Sequence, residues 1–218
     1  MIRSTLARTA AIASASIALL AGGCAENQPT APLSARAPAA SLGVNPFAPS
    51  INVPSGTIGH APLARRDVPL ANDVVVTKMI GRSGGVIAIP EAGFAVVFAP
   101  RAVERSTKIT VTALAGDKIA YRFAPHGISF DRPVVIHQLL RGTNAATASN
   151  LSAITGVYLS NEEEDIEPDG DAAVAEFRPT QVLTHLVNGV PVGYAALFGI
   201  QHFSGYALAT GRSGGNGQ

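Results

Sequence analysis

From Val74 onward the chain is written in short apolar or alternating runs divided by turn residues. The runs are Val74–Thr77, Val86–Ile89, Phe94–Phe98, Lys108–Leu114, Ile119–Phe123, Val134–Leu140, Val157–Ser160, Ala173–Phe177, Gln181–Leu186, Gly193–Ile200 and Tyr206–Ala209. Ser83-Gly84-Gly85, Pro90, Gly93, Pro100, Gly116-Asp117, Pro125, Pro133, Pro168, Gly170 and Gly189 punctuate them, as turns between strands require. Lys108 to Thr112 alternates, with Ile109 and Val111 on one face and Thr110 and Thr112 on the other. So many β-branched neighbours crowd a helix and suit a pleated sheet. Spacings near ten residues predict an all-β domain, an antiparallel sandwich, over residues 74–209, with a flexible tail over 210–218. The only helices expected are short ones, at Pro100–Arg105 and Asn144–Ser152.

Upstream the pattern is different. Arg3 and Arg8 precede an apolar stretch from Ala10 to Ala21, followed by Gly22-Gly23-Cys24. A membrane-spanning helix needs about 20 apolar residues, so this stretch reads as an export signal over residues 1–23. Leu20-Ala21-Gly22-Gly23-Cys24 resembles a bacterial lipobox, with Ala21 where that motif prefers leucine. The resemblance implies that Cys24 is acylated and becomes the mature amino terminus. Acyl chains contribute about 0.8 kcal/mol per buried methylene, enough for two or three of them to hold a soluble domain on a membrane. By similarity to lipoprotein sorting, Ala25 after the cysteine implies the outer membrane where the cell has one. Residues 24–73 then read as a disordered Pro/Ala-rich tether. Eight of the fifteen prolines fall there, at 29, 32, 38, 46, 49, 54, 62 and 69, and no amphipathic period survives among them. Phe47, Ile51 and Val53 are candidates to pack on the domain or to form a short recognition segment, a loose tether being the simpler reading, and Arg65-Arg66 reads as a protease-sensitive linker site.

Composition narrows the chemistry. Sixteen basic against fifteen acidic residues leave a formal charge of +1, which supplies no field for nucleic acid. One cysteine excludes a disulfide scaffold and a multi-cysteine zinc module. No nucleophile elbow, Walker loop or dinucleotide fingerprint is present, and His60, His126, His137 and His185 share no ligand spacing. No cofactor is expected beyond the calcium considered below.

Gly84-Gly85-x-Ile87-x-Ile89-Pro90, Gly93, Val97-Phe98-Ala99-Pro100-Arg101-Ala102-Val103 and Thr107-x-Ile109-Thr110-Val111 together resemble the opening half of a ZU-five domain. This is the β-sandwich of ankyrins and netrin receptors. Tyr121-x-Phe123-x-Pro125-x-Gly127-x-x-Phe130-x-x-Pro133-Val134 continues the likeness, and His202-Phe203-Ser204-x-Tyr206 stands where the family carries a signature. The resemblance implies a protein-interaction or structural module with an unnamed envelope partner. It also implies an alternative. In some relatives such a tripeptide cleaves itself between Phe and Ser, the serine hydroxyl attacking the preceding carbonyl to give an ester that water hydrolyses. Period-two geometry would put His202 and Ser204 on one face and bury Phe203 on the other.

Seven of the fifteen acids lie between Glu162 and Asp171. Asp165, Glu167, Asp169, Asp171 and Glu176 fall at positions 1, 3, 5, 7 and 12 of a calcium-loop count, with Gly170 at position 6. A calcium-dependent binding or adhesion module is therefore a third reading. A solvated hairpin turn is the simpler one, since strands rather than helices flank the run.

Overall fold

The computed structural model describes residues 51–52, 59–146 and 151–212. Four strands precede or open the expected domain: β1 (Ile51–Asn52), β2 (Gly59–Pro62), β3 (Arg65–Leu70) and β4 (Val74–Ile80). The middle of the chain gives β5 (Gly85–Ile89), β6 (Phe94–Phe98), β7 (Thr107–Ala113), β8 (Gly116–Lys118), β9 (Ala120–Ala124) and β10 (Ser129–Leu139). The last third gives β11 (Thr155–Leu159), β12 (Asp171–Val174), β13 (Glu176–Arg178), β14 (Thr180–Val187), β15 (Val190–His202) and β16 (Gly205–Ala209).

All ladders are antiparallel. A seven-stranded sheet runs β1-β13-β11-β16-β9-β7-β4 and a five-stranded sheet runs β14-β15-β10-β6-β5. Between them lies the main core, where Ile87, Ile89, Val96, Phe98, Ile136 and Phe198 of one sheet meet Ile109, Val111, Phe123 and Tyr206 of the other. The sheets join at one corner through the tight turn Gly81–Gly84. Gly84 has φ +76, and a Cβ there would stand 2.2 Å from the Phe98 carbonyl oxygen, so the turn admits only glycine. At the opposite corner the chain passes from β13 to β14 through Pro179 alone.

A second apolar cluster explains why β16 is buried along its whole length. Leu63, Val157, Leu159, Val174, Phe177, Ala207 and Ala209 pack on the outer face of the seven-stranded sheet, under a ribbon formed by β2 and β12. A strand covered on both faces loses its alternation and reads as a continuous apolar run.

Ten of the eleven apolar runs each fall on one strand to within a residue, and the all-β sandwich is what they build; the eleventh, Ala173–Phe177, is instead broken at Ala175 and divided between β12 and β13, which pair in different sheets. Three expectations need correction. The tether expected over residues 24–73 does not extend to its end, because β2 and β3 are built into the domain. Ala61, Leu63 and Ala64 are buried, and Ala64 donates its amide to the Leu208 carbonyl at 2.7 Å. Pro62 and Pro69 mislead because prolines also fit short marginal strands, where a missing N–H breaks no central ladder. The domain also continues past 209: Thr210 donates its amide to the Pro62 carbonyl at 2.9 Å, and the Arg212 guanidinium lies 4.5 Å from the Phe177 ring centre.

The third correction concerns helices. Residues 100–105 form turns, since Arg101 at φ +65 cannot continue a helix, and Asn144–Ala146 makes a single 3₁₀ turn. The remainder of that second stretch over 147–150 lies outside the described residues. So do the assigned signal over 1–23, Cys24, Phe47, Val53 and the tail from 213. Among the described residues no helix is long and apolar enough to cross a membrane.

Candidate functional site

His202-Phe203-Ser204 is the link by which the chain crosses between the two sheets. β15 ends at His202 in the five-stranded sheet, and β16 begins at Gly205 in the seven-stranded one. Period-two alternation therefore does not run through the tripeptide. Phe203 and Ser204 are both buried, which corrects the expectation that Ser204 would share a face with His202. Phe203 stacks on Phe123 with centroids 5.3 Å apart and meets Phe130 and Phe98 edge-on at 4.8 and 6.2 Å. Each aromatic pair of this kind contributes about 0.5–1.5 kcal/mol beyond its buried area. The Phe203 amide donates to Ile128 and the Ser204 carbonyl accepts from Phe123, so the backbone of the link is pinned from both sides.

The His202 imidazole turns to other partners. Its Nε2 lies 3.5 Å from Glu176 Oε1, and its Nδ1 lies 3.3 Å from the Tyr206 hydroxyl, which donates to the His202 carbonyl at 2.8 Å. Tyr158 packs edge-on against the same ring at 4.5 Å. Glu176 also accepts from Arg178 Nη1 at 3.2 Å, while Arg178 Nε donates across to the Gly199 carbonyl at 2.8 Å. Arg178 is 1% exposed, so this guanidinium is a fully buried cation tying β13 to β15. Burial pushes the Tyr206 hydroxyl far above the ordinary phenol range. Arg178, Glu176, His202 and Tyr206 thus form a chain of polar contacts, in which Glu176 stands between the guanidinium and the imidazole. Of its members Arg178 has no place in the sequence reading, and Tyr206 enters it only as the last residue of the signature-like run. Glu176-Phe177-Arg178 held the signal: on a strand, residues two apart share a face, so a carboxylate and a guanidinium were placed to pair.

The acidic run is brought together with other partners too. Asp165 accepts from the Asn161 amide at 2.8 Å and from Ser160 Oγ at 3.2 Å. Glu167 lies 3.5 Å from His60 Nδ1, and Asp169 Oδ1 accepts from the Asp171 amide at 3.1 Å. Glu162 reaches His126 at 3.1 Å and Arg122 at 3.5 Å, while Glu176 belongs to the His202 cluster. Among the described residues no group of three or more His, Cys, Asp or Glu side chains is placed to hold a metal ion. The calcium count fails because its spacing presumes a helix-flanked loop, whereas here β12 and β13 carry Asp171 and Glu176 away on separate strands.

What the acidic run does instead is hold down the strands that resemble a tether. Leu63 donates its amide to the Gly170 carbonyl at 3.0 Å, and Arg65 Nη2 donates to the Asp169 carbonyl. Arg65 Nη1 also donates to Asp117 at 3.0 Å. Burial alone would raise the Asp117 carboxyl, but the charge of Lys118 and the hydrogen bond and charge of Arg65 outweigh it and hold the group below its ordinary range. Arg66 is buried, with Nη1 donating to the carbonyls of Gly116 and Lys118 and its guanidinium 5.9 Å from the Tyr121 ring centre. The Arg65-Arg66 pair is thus structural, which corrects its reading as an open linker site.

A cleft beside this end is lined by Arg178, Arg212, Thr155 and Thr180. The Thr155 hydroxyl is spent on the Arg178 carbonyl, and the Thr180 hydroxyl both donates to that carbonyl and accepts from the Gly156 amide. No protein-family model matches the chain, and no curated protein matches it.

Proposed function

We propose that the chain is a lipid-anchored β-sandwich of ZU-five type at the cell envelope, acting through its surface as a protein-interaction or structural module. The observation that carries this reading is where the large exposed apolar side chains fall. Of the eight among the described residues, Leu186, Val187, Val190 and Tyr194 sit on the single β14–β15 hairpin, while the histidine, serine and acids that invited chemistry are engaged in holding the fold. The lipobox-like approach to Cys24 supports the anchor.

Intact mass of the membrane-extracted protein tests the reading. The expected result is one unbroken polypeptide beginning at Cys24 and heavier than its sequence by two or three acyl chains, with the added mass absent in Cys24→Ser. An unmodified mature chain would overturn the anchor. The second reading, self-processing, is supported by Ser204 lying directly after Phe203 in the inter-sheet link. It predicts two fragments meeting at Phe203 and Ser204 that become one in Ser204→Ala.

A further inference from the structure

The β14–β15 hairpin has a second property besides its apolar tip. β14 is an edge strand of the five-stranded sheet and pairs only with β15 among the described residues. Its eight residues, Thr180 to Val187, include no Asp, Glu, Lys, Arg or Pro, and none occurs in β15 apart from Pro191. An unpaired strand edge offers a row of N–H and C=O groups to any other strand, and soluble proteins usually guard such edges with charge, proline or shortness. The other edges here are guarded in that way. β4 carries Lys78, whose Nζ donates to the Val86 carbonyl of the neighbouring edge strand at 2.9 Å. β5 is five residues long and runs straight into Pro90, and β1 has two residues. Among the described residues β14 is the long edge left open.

We propose that β14 pairs antiparallel with β14 of a second copy of this chain, joining two five-stranded sheets into one of ten strands. Three features select this occupant. A strand without formal charge meets its own copy with no like-charge penalty and offers nothing to steer an oppositely charged partner. A two-fold axis through an antiparallel pair makes the contact self-complementary and closed, so it stops at two copies. A lipid surface would cover Leu186, Val187 and Val190 but would leave the strand's backbone groups without partners, whereas a second strand satisfies them. Eight residues at about 3.4 Å each give a pairing length of about 27 Å, a modest interface that associates reversibly. The proposal rests on reading the domain as an interaction module, and it names the partner.

Cysteine cross-linking along β14 in the full chain tests it, in a Cys24→Ser background so that the outcome is independent of acylation. Cysteines are introduced singly at Gln181, Val182, Leu183, Thr184, His185 and Leu186, with Thr77→Cys on the opposite edge of the molecule as control. Pairing about a two-fold axis gives a disulfide-linked species of twice the chain mass at one or two neighbouring positions, falling away on both sides. Thr184→Lys, which sets two cations against each other across the axis, lowers that yield by about tenfold or more without moving the melting temperature. Equal yields at every position and at Thr77, no doubled species at all, or adducts of another mass would each overturn the proposal, the last assigning the edge to a different protein. Vesicle flotation of the Cys24→Ser chain that depends on Leu186 and Val187, without cross-linking, would overturn it in favour of lipid.

Discussion

Phe198 of β15 occupies the space a side chain at Gly156 of β11 would fill: a Cβ built on Gly156 would lie 2.5 Å from two atoms of the phenyl ring. The two sheets are in close contact here, and Gly156 is not among the glycines with positive φ, so packing alone requires the glycine. Gly156→Ala is expected to destabilise the domain by about 1–3 kcal/mol, the usual cost of overpacking. The double variant Gly156→Ala/Phe198→Leu should recover part of that loss, because the second change vacates the contested volume. Urea midpoints with unchanged slope measure both. A Gly156→Ala chain as stable as the parent would show that the sheets can part at no cost.

In the core, a polar node is built around Gln138, which is 1% exposed. Its Nε2 donates to the carbonyls of Ala92 at 3.0 Å and Leu139 at 2.8 Å, and its Oε1 accepts from the Tyr121 hydroxyl. Burial pushes that hydroxyl far above the usual phenol range, so it stays protonated and donating at any ordinary pH. Gln138→Leu leaves the Tyr121 hydroxyl and the Ala92 carbonyl short of partners in an apolar setting, at an expected cost of about 1–3 kcal/mol each. Adding Tyr121→Phe should cost less than the sum of the single changes, since the second removes a group the first orphaned. Strict additivity in denaturant unfolding would refute this network.

The strands that the apolar pattern displays and those it hides differ for a physical reason. β6, from Phe94 to Phe98, faces one core and shows it by alternation. β2 and β3 carry prolines and few bulky residues; Ala61 of β2 and Leu63 just after it pack in a second apolar layer, while Ala64 reaches the main core, and no period announces either. The His202 link was legible as a motif, but its geometry was not, because a sheet-to-sheet crossing suspends the alternation used to place its side chains. The acids were read as one cluster because they are adjacent in sequence, whereas their partners His60, Arg65, Arg122 and Arg178 come from four separate strands.

A protease separates a tether from a strand. Arg65 and Arg66 lie in β3, with Arg65 held by Asp117 and by the Asp169 carbonyl and Arg66 buried. Trypsin should leave both bonds intact under native conditions and cut them once urea unfolds the domain. Asp117→Ala, which removes the Arg65 contact, is expected to speed cleavage there severalfold. Mapping of early tryptic fragments by mass checks this, and rapid native cleavage after Arg65 or Arg66 would return the segment to the tether.

His137 stands near the end of β10, the central strand of its sheet, flanked across the ladder by Ala95 and Leu197. Burial among these apolar neighbours penalises its charged form and holds its imidazole below the ordinary range. A folded value depressed below the unfolded one, near 6.5 for histidine, means the unfolded chain takes up the proton first. Stability is then unaffected above that value and falls as the pH drops below it, until the folded state protonates as well. His137→Gln should flatten this part of the stability curve, read as the urea midpoint between pH 7 and pH 5. An unchanged slope in the variant would show that other groups govern the acid limb.

Among the described residues the buried guanidinium of Arg178 has one carboxylate to balance it, Glu176 at 3.2 Å, and that carboxylate also faces His202. Removing one member of a buried ion pair costs far more than the pair's net worth, because the remaining charge loses its compensation in a low-dielectric site. Glu176→Gln keeps the shape and a hydrogen-bond acceptor but deletes the charge, and is expected to destabilise by about 3 kcal/mol. Arg178→Met/Glu176→Gln, which removes both charges, should be more stable than Glu176→Gln alone. His202→Gln, which leaves the Arg178 pair untouched, should cost less than either single change at that pair. This ordering distinguishes the cluster from a reaction centre. If His202→Gln and Glu176→Gln left stability unchanged while abolishing a processing event at Phe203-Ser204, the two residues would be serving chemistry and not the fold.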